Sequence, residues 1–247
     1  MSEQSRIVES KLADASDLVV ARHAAFLAEP DDIETNHKLR VSIRTLRGLV
    51  DFCSAWQKGK QNKRVQRKLK KTVAKTSRLR ELDVLATLAK ERDPENGELI
   101  GFLEGKASEE RDSVYAYLAS GKAHENLETV RRELHDISWK REFDALEPRG
   151  RFDALVAGLQ ADLDRLDVAD YERVHSVRKR AKQVRYVAEQ FNAVLGDDVV
   201  ATAEHMKAQQ DHLGAICDAK VNEGIIASFL EDETLSPTLA ASLQKLV

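Results

Sequence analysis

The chain has 247 residues, of which 42% are hydrophobic and 33% are charged, so it can bury a core and still carry a polar surface. No apolar run approaches the roughly 20 residues that cross a bilayer, and the first residues lack the apolar stretch of a secretory signal. We therefore expect no membrane-spanning helix, and we predict a cytoplasmic protein without membrane partners. The two cysteines, Cys53 and Cys217, form no spaced metal motif, so we expect free thiols, with a disulfide between them left open.

The pattern along the chain predicts an all-α protein, because no period-two alternation appears and the four prolines stand where helical periodicity lapses. Asp31, Asp93 and Asp170 are expected helix starts, and Gly59 and Gly196 are expected stops. Helices are predicted near 6–28, 32–57, 61–91, 97–119, 122–138, 150–166, 170–195, 198–216 and 218–232, with a short one after Pro237. Such lengths and short connections favour antiparallel helical bundles.

Two of these helices share one basic register, in which a histidine is followed by long cationic side chains at +3, +7 and +10. The members are His37, Arg40, Arg44 and Arg47 in the first, and His175, Arg178, Lys182 and Arg185 in the second. On a helix these offsets fall within about 80° of one face. The apolar residues beside them repeat as well, from Leu39 against Val177 to Leu49 against Val187. We expect the two stripes to face one extended anion.

The charge is segregated in the same way. The net charge of -3 alone argues against a polyanionic ligand, yet Lys38 to Arg80 contains 15 Lys/Arg and one acid, and Arg173 to Arg185 contains six Lys/Arg and no acid. A local field attracts an anion more than the total charge repels it. The predicted helix 61–91 adds a third stripe on a face about 100° wide. Its members are Arg64, Arg67, Lys68, Lys71, Lys75 and Arg78.

The internal repeat extends beyond the two signature helices. Each is followed by a helix with a related motif, at 76–84 in the first half and at 213–221 in the second. The repeat predicts a pseudo-twofold arrangement of two halves, about 1–140 and 141–247, with the duplicated histidines facing a shared interface.

Linear inorganic polyphosphate is the ligand that these features favour. The arginine fork suits bidentate phosphate contacts, and lysine supplies a point charge. Binders of single-stranded nucleic acid interleave aromatic stacking platforms, but aromatic residues are only 5% of this chain. A helical scaffold that binds nucleic acid or an acidic protein is the alternative.

A second alternative is a di-metal site. Glu34-x-x-His37 and Glu172-x-x-His175 have the spacing of di-iron carboxylate bundles. Cations on the same face as each histidine oppose the binding of Fe²⁺ or Mn²⁺, and both motifs fall near helix starts. We therefore place this hypothesis below the anion site and expect no cofactor.

The chain resembles the CHAD family, the conserved histidine α-helical domains, over nearly its whole length. The resemblance is carried by His37-x-x-Arg40-x-x-x-Arg44-x-Leu46-Arg47, Arg80-Glu-Leu-Asp83-Val84, His175-x-x-Arg178-Lys179-x-x-Lys182-x-x-Arg185-Tyr186 and Gln210-Asp211-x-Leu213-Gly214-x-x-x-Asp218. It implies a single domain made of two antiparallel helical bundles, related by pseudo-twofold symmetry around a central basic cavity. It also implies a polyphosphate-binding or targeting module that is not an enzyme and associates with polyphosphate granules. The expected polyphosphate-binding residues are His37, Arg40, Arg44, Arg47, Arg67, Lys68, Lys71, Lys75, His175, Arg178, Lys179, Lys182, Arg185 and Tyr186.

The chain departs from the family's pattern at three places. Thr45 stands where a second basic residue is usual, Glu81 stands for an aspartate, and Thr76-Ser77 replaces a Leu-Gly pair. The Glu-x-Glu-x-Lys motif of the triphosphate-processing domain that often accompanies the family is absent from this sequence. We therefore expect no triphosphate-processing activity.

Overall fold

The computed structural model describes residues 2–144 and 146–246. Within these ranges the protein is all-α, as predicted, and contains no strand, only an isolated antiparallel bridge between Gln57 and Trp139. The helices are α1 (Glu3–Ala28), α2 (Ile33–Phe52), α3 (Gly59–Lys75), α4 (Ser77–Arg92), α5 (Gly97–Leu118), α6 (Gly121–His135), α7 (Leu146–Leu163), α8 (Tyr171–Leu195), α9 (Val199–Leu230) and α10 (Pro237–Gln244), with a 3₁₀ turn at Cys53–Ala55.

The helix ends follow local chemistry. Asp170 accepts a hydrogen bond from the backbone N–H of Arg173 at the start of α8, as expected. Asp32 and Asn96, rather than the predicted Asp31 and Asp93, cap α2 and α5. Gly196 ends α8 at φ 100°, a conformation in which a side chain is strained. Gly59, predicted as a stop, instead begins α3.

The helix prediction was wrong in its boundaries at three places. The segment 61–91 is not one helix, because α3 ends at Lys75 and α4 begins at Ser77. Conversely, 198–216 and 218–232 form the single helix α9. The helix predicted over 32–57 ends at Phe52 and passes into the 3₁₀ turn.

The predicted apolar stripes of α2 and α8 are buried in one hydrophobic core. All eight matched residues are at most 4% exposed, namely Leu39, Ile43, Leu46, Leu49, Val177, Ala181, Val184 and Val187. Each fully buried aliphatic side chain of this size contributes about 1.5–3 kcal/mol relative to its exposed state. Burial of these stripes fixes which face of each helix remains for the basic residues.

α2 and α8 occupy the middle of the arrangement. α2 packs against α1, α3, α4 and α8, and α8 packs against α7, α9, α1 and α2. The pair therefore brings together two segments from opposite halves of the sequence. The pseudo-twofold relation between 1–140 and 141–247 stays a prediction. Within the described residues, no helix is long and apolar enough to cross a membrane.

Candidate anion-binding site

A cavity of about 260 Å³ lies where α2 and α8 meet, and we call it the central cavity. α4 and α9 complete its walls. Its polar and aromatic lining consists of His37, Arg40, Arg44, Arg80, Glu81, Tyr171, His175, Arg178, Lys182, Tyr186, Asp218 and Asn222, and Cys217 also lines it. The two signature histidines thus lie in one cavity although 138 positions separate them.

A second cavity of about 300 Å³, the outer cavity, adjoins the first. The two share three lining residues, Arg44, Lys182 and Tyr186. The outer cavity adds Arg47 and Lys179 and has Asp51 as its one carboxylate. Cations of α2 and α8 thus line both of the adjoining cavities.

Arg40 has a structural role as well as a place in the central cavity wall. The residue is 7% exposed. Its Nη1 donates to the carbonyl oxygen of Val73 at 2.9 Å and to the hydroxyls of Thr76 and Ser77 at 3.0 Å each. These bonds tie the junction of α3 and α4 to α2, at the break in the predicted helix 61–91.

Arg178 is placed by a close approach to the backbone of α9. A Cβ at Gly214 would stand 3.1 Å from Arg178 Nη2, so the glycine leaves the room that the guanidinium occupies. Arg178 Nη1 lies 3.4 Å from Asp218 Oδ1. Arg178 Nε is buried without a hydrogen-bond partner among the described residues.

Arg47 is held at the outer cavity by a reciprocal contact between α2 and α3. Its Nε donates to Gln66 Oε1 at 3.1 Å, and Gln66 Nε2 donates to the Arg47 carbonyl at 2.8 Å. Gln183 of α8 donates to Asp51 Oδ2 at 2.7 Å. These polar bonds fix the outer cavity walls to one another.

The clustered cations lower one another's pKa values. Burial, and then the neighbouring Arg178 and Arg44, lower the pKa of Lys182 to about 8. Burial and Arg44 lower the pKa of Arg40 to about 10. The charged forms are therefore costly here, and a bound anion offsets that cost.

The two histidines follow the same rule. Burial lowers the pKa of His37, with a further contribution from Arg80. Burial lowers the pKa of His175 too, and Lys179 adds to the effect. Both imidazoles are thus mostly neutral at pH 7, where each can donate one hydrogen bond to an anion.

The family model for the CHAD domain matches residues 11–227. The chain belongs to the CHAD family. The fold is also similar to the crystal structure of the CHAD domain from the plant Ricinus communis, with a TM-score of 0.80 at 18% identity over 99% of this chain and 84% of that one. PptA from Streptomyces chartreusis gives 0.66 at 13% identity over 98% and 91%. At these identities the likeness shows the fold alone. No curated protein sequence matches the chain.

Nine of the expected site residues of this CHAD protein line one or both cavities. They are His37, Arg40, Arg44, Arg47, His175, Arg178, Lys179, Lys182 and Tyr186. Arg185 lines a third cavity between α1, α2 and α8, where its Nε is 3.7 Å from Glu189 and its guanidinium lies over the Tyr186 ring at 4.8 Å. This third cavity shares His37 and Tyr186 with the central cavity, and the charge of Arg185 contributes to the lowered pKa of Lys182.

The four expected site residues of α3 line neither cavity. They are Arg67, Lys68, Lys71 and Lys75. α3 presents Gln66 and Val73 to the outer cavity instead. Lys68 donates to Asn126 Oδ1 of α6 at 2.7 Å, whereas Arg67, Lys71 and Lys75 are exposed. The third stripe therefore does not lie inside the site that the two signature helices form.

Several lining residues were not in the predicted set. Arg80 and Glu81 belong to a motif that the resemblance had already marked, so the signal for them was present. Tyr171 had no such signal, and its ring stacks on His175 with centroids 5.9 Å apart. Asp83, from the same motif as Arg80, is buried and pairs with Arg111 of α5 at 3.0 Å, outside the cavity.

The alternative metal site has no matching cluster in the described parts of the chain. There, no three His, Cys, Asp or Glu side chains converge so that they could hold a metal ion. Cys53 and Cys217 are free and buried.

Proposed function

We propose that this CHAD protein binds inorganic polyphosphate in the central and outer cavities and acts as a non-catalytic binding or targeting module. The observation that supports the proposal is that both signature stripes contribute residues to two adjoining cavities. Arg44 and Lys182, one from each stripe, line both cavities. Charge-assisted hydrogen bonds from such groups are short and strong with phosphate oxygens.

The aromatic residues of the cavities support a ligand without bases. Tyr186 is 5% exposed and covered by Arg185, and the Tyr171 ring already stacks on His175. Recognition of single-stranded nucleic acid uses open aromatic faces on which bases stack. The lining offers cations rather than such faces, which favours a bare phosphate chain.

Cys217, the thiol in the central cavity wall, does not have the properties of a catalytic nucleophile, which supports a non-catalytic module. Burial raises the pKa of this thiol. A thiol becomes a strong nucleophile when its pKa is lowered. Cys217 therefore fits a packing role better than a covalent one.

A binding and competition assay tests the proposal. Labelled long-chain polyphosphate is expected to bind with an affinity that falls steeply with salt, and excess DNA or RNA, matched per phosphate, is expected not to displace it. Arg44→Gln with Lys182→Gln is expected to abolish binding while circular dichroism stays unchanged. Arg165→Gln with Lys207→Gln, two exposed positions, is the charge-matched control.

Equal displacement by nucleic acid would instead support the scaffold alternative, and full binding by the Arg44/Lys182 variant would place the site elsewhere. In cells, a fluorescent fusion is expected to gather at cytoplasmic polyphosphate granules, and to lose that location with the same two substitutions.

A further inference from the structure

α3 carries positive charge that the rest of the described chain does not neutralise. From Lys58 to Leu79 the sequence has no acid. Arg64 pairs with Glu133 of α6, and Lys68 contacts Asn126. The remaining exposed cations of α3 make no ion pair within residues 2–144 and 146–246, and we call them the α3 face. They are Lys60, Lys63, Arg67, Lys70, Lys71 and Lys75.

The outer cavity opens beside this α3 face. Gln66 lines the cavity, and Lys63 and Lys70 stand three residues before it and four residues after it. Residues at these spacings are neighbours on a helix surface. Arg67 follows Gln66 by one position, about 100° further round the helix. The cationic lining of the cavity thus continues onto the outside of the molecule.

The other two cavities that share lining residues with the central cavity are less favourable to an anion. Arg80, Asp218 and Asn222 are shared with a cavity between α4 and α9, whose charged lining is two arginines and three carboxylates. The cavity that contains Arg185 has three carboxylates against three Lys/Arg. By contrast, the outer cavity has four Lys/Arg and one carboxylate. A polyanion that extends beyond the central cavity therefore meets favourable charge in the direction of α3.

Repulsion between the cations of the α3 face also favours the binding of an anion. Lys63, Arg67, Lys71 and Lys75 follow one another at four-residue spacing, and like charges at that spacing repel. A chain of phosphates along the helix relieves several of these repulsions at once, and each contact releases counterions.

We propose that the α3 face is a second contact zone for the same ligand, and that it makes the protein select long polyphosphate over short. This inference rests on the proposed function. The cavities bind one section of the chain, and the remainder leaves through the outer cavity and lies along Lys63, Arg67 and Lys70. A ligand of a few phosphates fills the cavities without reaching the α3 face, so it gains nothing from those cations.

Two probes separate the zones, namely tripolyphosphate and a long-chain polyphosphate preparation. The test variant carries Lys63→Gln, Arg67→Gln and Lys70→Gln. The charge-matched control carries Arg165→Gln, Lys207→Gln and Lys245→Gln, all exposed and away from α3. The test variant is expected to bind long chains about tenfold more weakly, with a salt slope smaller by about two, while its affinity for tripolyphosphate equals that of the unchanged protein.

Three results would overturn the inference. Long-chain affinity equal to that of the control variant means that the chain does not reach α3. An equal loss of affinity for both probes means that Lys63, Arg67 and Lys70 act by long-range electrostatic attraction and not by contact with the phosphate chain. Failure of the unchanged protein to bind either probe removes the proposed function itself, and that outcome is distinct from the first two.

Discussion

Lys182 is the residue at which polyphosphate binding is expected to depend most on pH. Burial and the adjacent Arg178 and Arg44 lower its pKa to about 8 in the ligand-free protein. A phosphate chain binds the ammonium form, so affinity is full below this pKa and is lost as the pH rises through it. If the neutral amine does not bind, affinity falls by a factor of about 2 at pH 8 and about 11 at pH 9. Lys182→Arg keeps the charge over this range and is expected to bind almost equally at pH 7 and pH 9.

Calorimetry measures this coupling directly. Titration of polyphosphate at pH 8 in two buffers of different ionisation enthalpy is expected to show uptake of about half a proton by Lys182. That uptake is expected to disappear in Lys182→Arg. A flat affinity between pH 7 and pH 9 in the unchanged protein, or an equal proton uptake in the variant, would refute the assignment. The histidine pKa values lie below the ordinary 6.5, so any gain in affinity from them comes only at lower pH.

Three further substitutions follow from the contacts. Arg40→Ala removes three hydrogen bonds at the junction of α3 and α4, and is expected to lower the free energy of unfolding by about 2–4 kcal/mol in chemical denaturation. Gly214→Ala places a methyl group against Arg178, and is expected to weaken polyphosphate binding about tenfold while helix stability rises by up to about 1 kcal/mol. Glu81→Gln removes a half-buried carboxylate from the central cavity, and is expected to raise affinity about threefold to tenfold.

For each of these three substitutions, one result would contradict the prediction. Arg40→Ala with unchanged stability would mean that the junction does not depend on this side chain. Gly214→Ala with full binding would separate Arg178 from the ligand. The control for Glu81→Gln is Glu204→Gln, which removes an exposed carboxylate of α9. An equal gain in polyphosphate affinity in both variants would mean that only the net charge of the protein matters.

The arrangement of α2 and α8 could be predicted because it depends on periodicity. Apolar residues at helical spacing mark the buried face, and the histidine register then marks the face that remains. Burial of Leu39 and Val177 at equivalent positions follows from this pattern alone. Arg185 does not line the two cavities, although Arg47 at the equivalent position of the first stripe lines the outer one. α1 packs against α8, and Glu189 Oε1 lies 3.7 Å from the Arg185 Nε, and neither contact can be read from the register.

The break between α3 and α4 could not be predicted from local sequence. Thr76 and Ser77 are neither proline nor glycine, and the helical pattern continues through them. The hydroxyls of Thr76 and Ser77 donate to the Val73 carbonyl at the break. Arg40 donates to the same carbonyl and to both hydroxyls from 33 to 37 positions away in sequence, a contact that only the tertiary structure shows. Because α3 ends at Lys75, Arg64 and Arg78 do not belong to one continuous helical stripe.

The meeting of α2 and α8 also has a consequence for folding. Contacts between segments so far apart in sequence form late, because a long loop has to close before they can stabilise the chain. The same seam holds like charges that repel in the empty protein. A ligand that binds only the folded form stabilises it by about 2.7 kcal/mol at a concentration one hundred times its dissociation constant. If the protein binds polyphosphate as proposed, the ligand is expected to hold α2 and α8 together. The melting temperature is then expected to rise with polyphosphate concentration, and proteases are expected to degrade the unliganded protein faster.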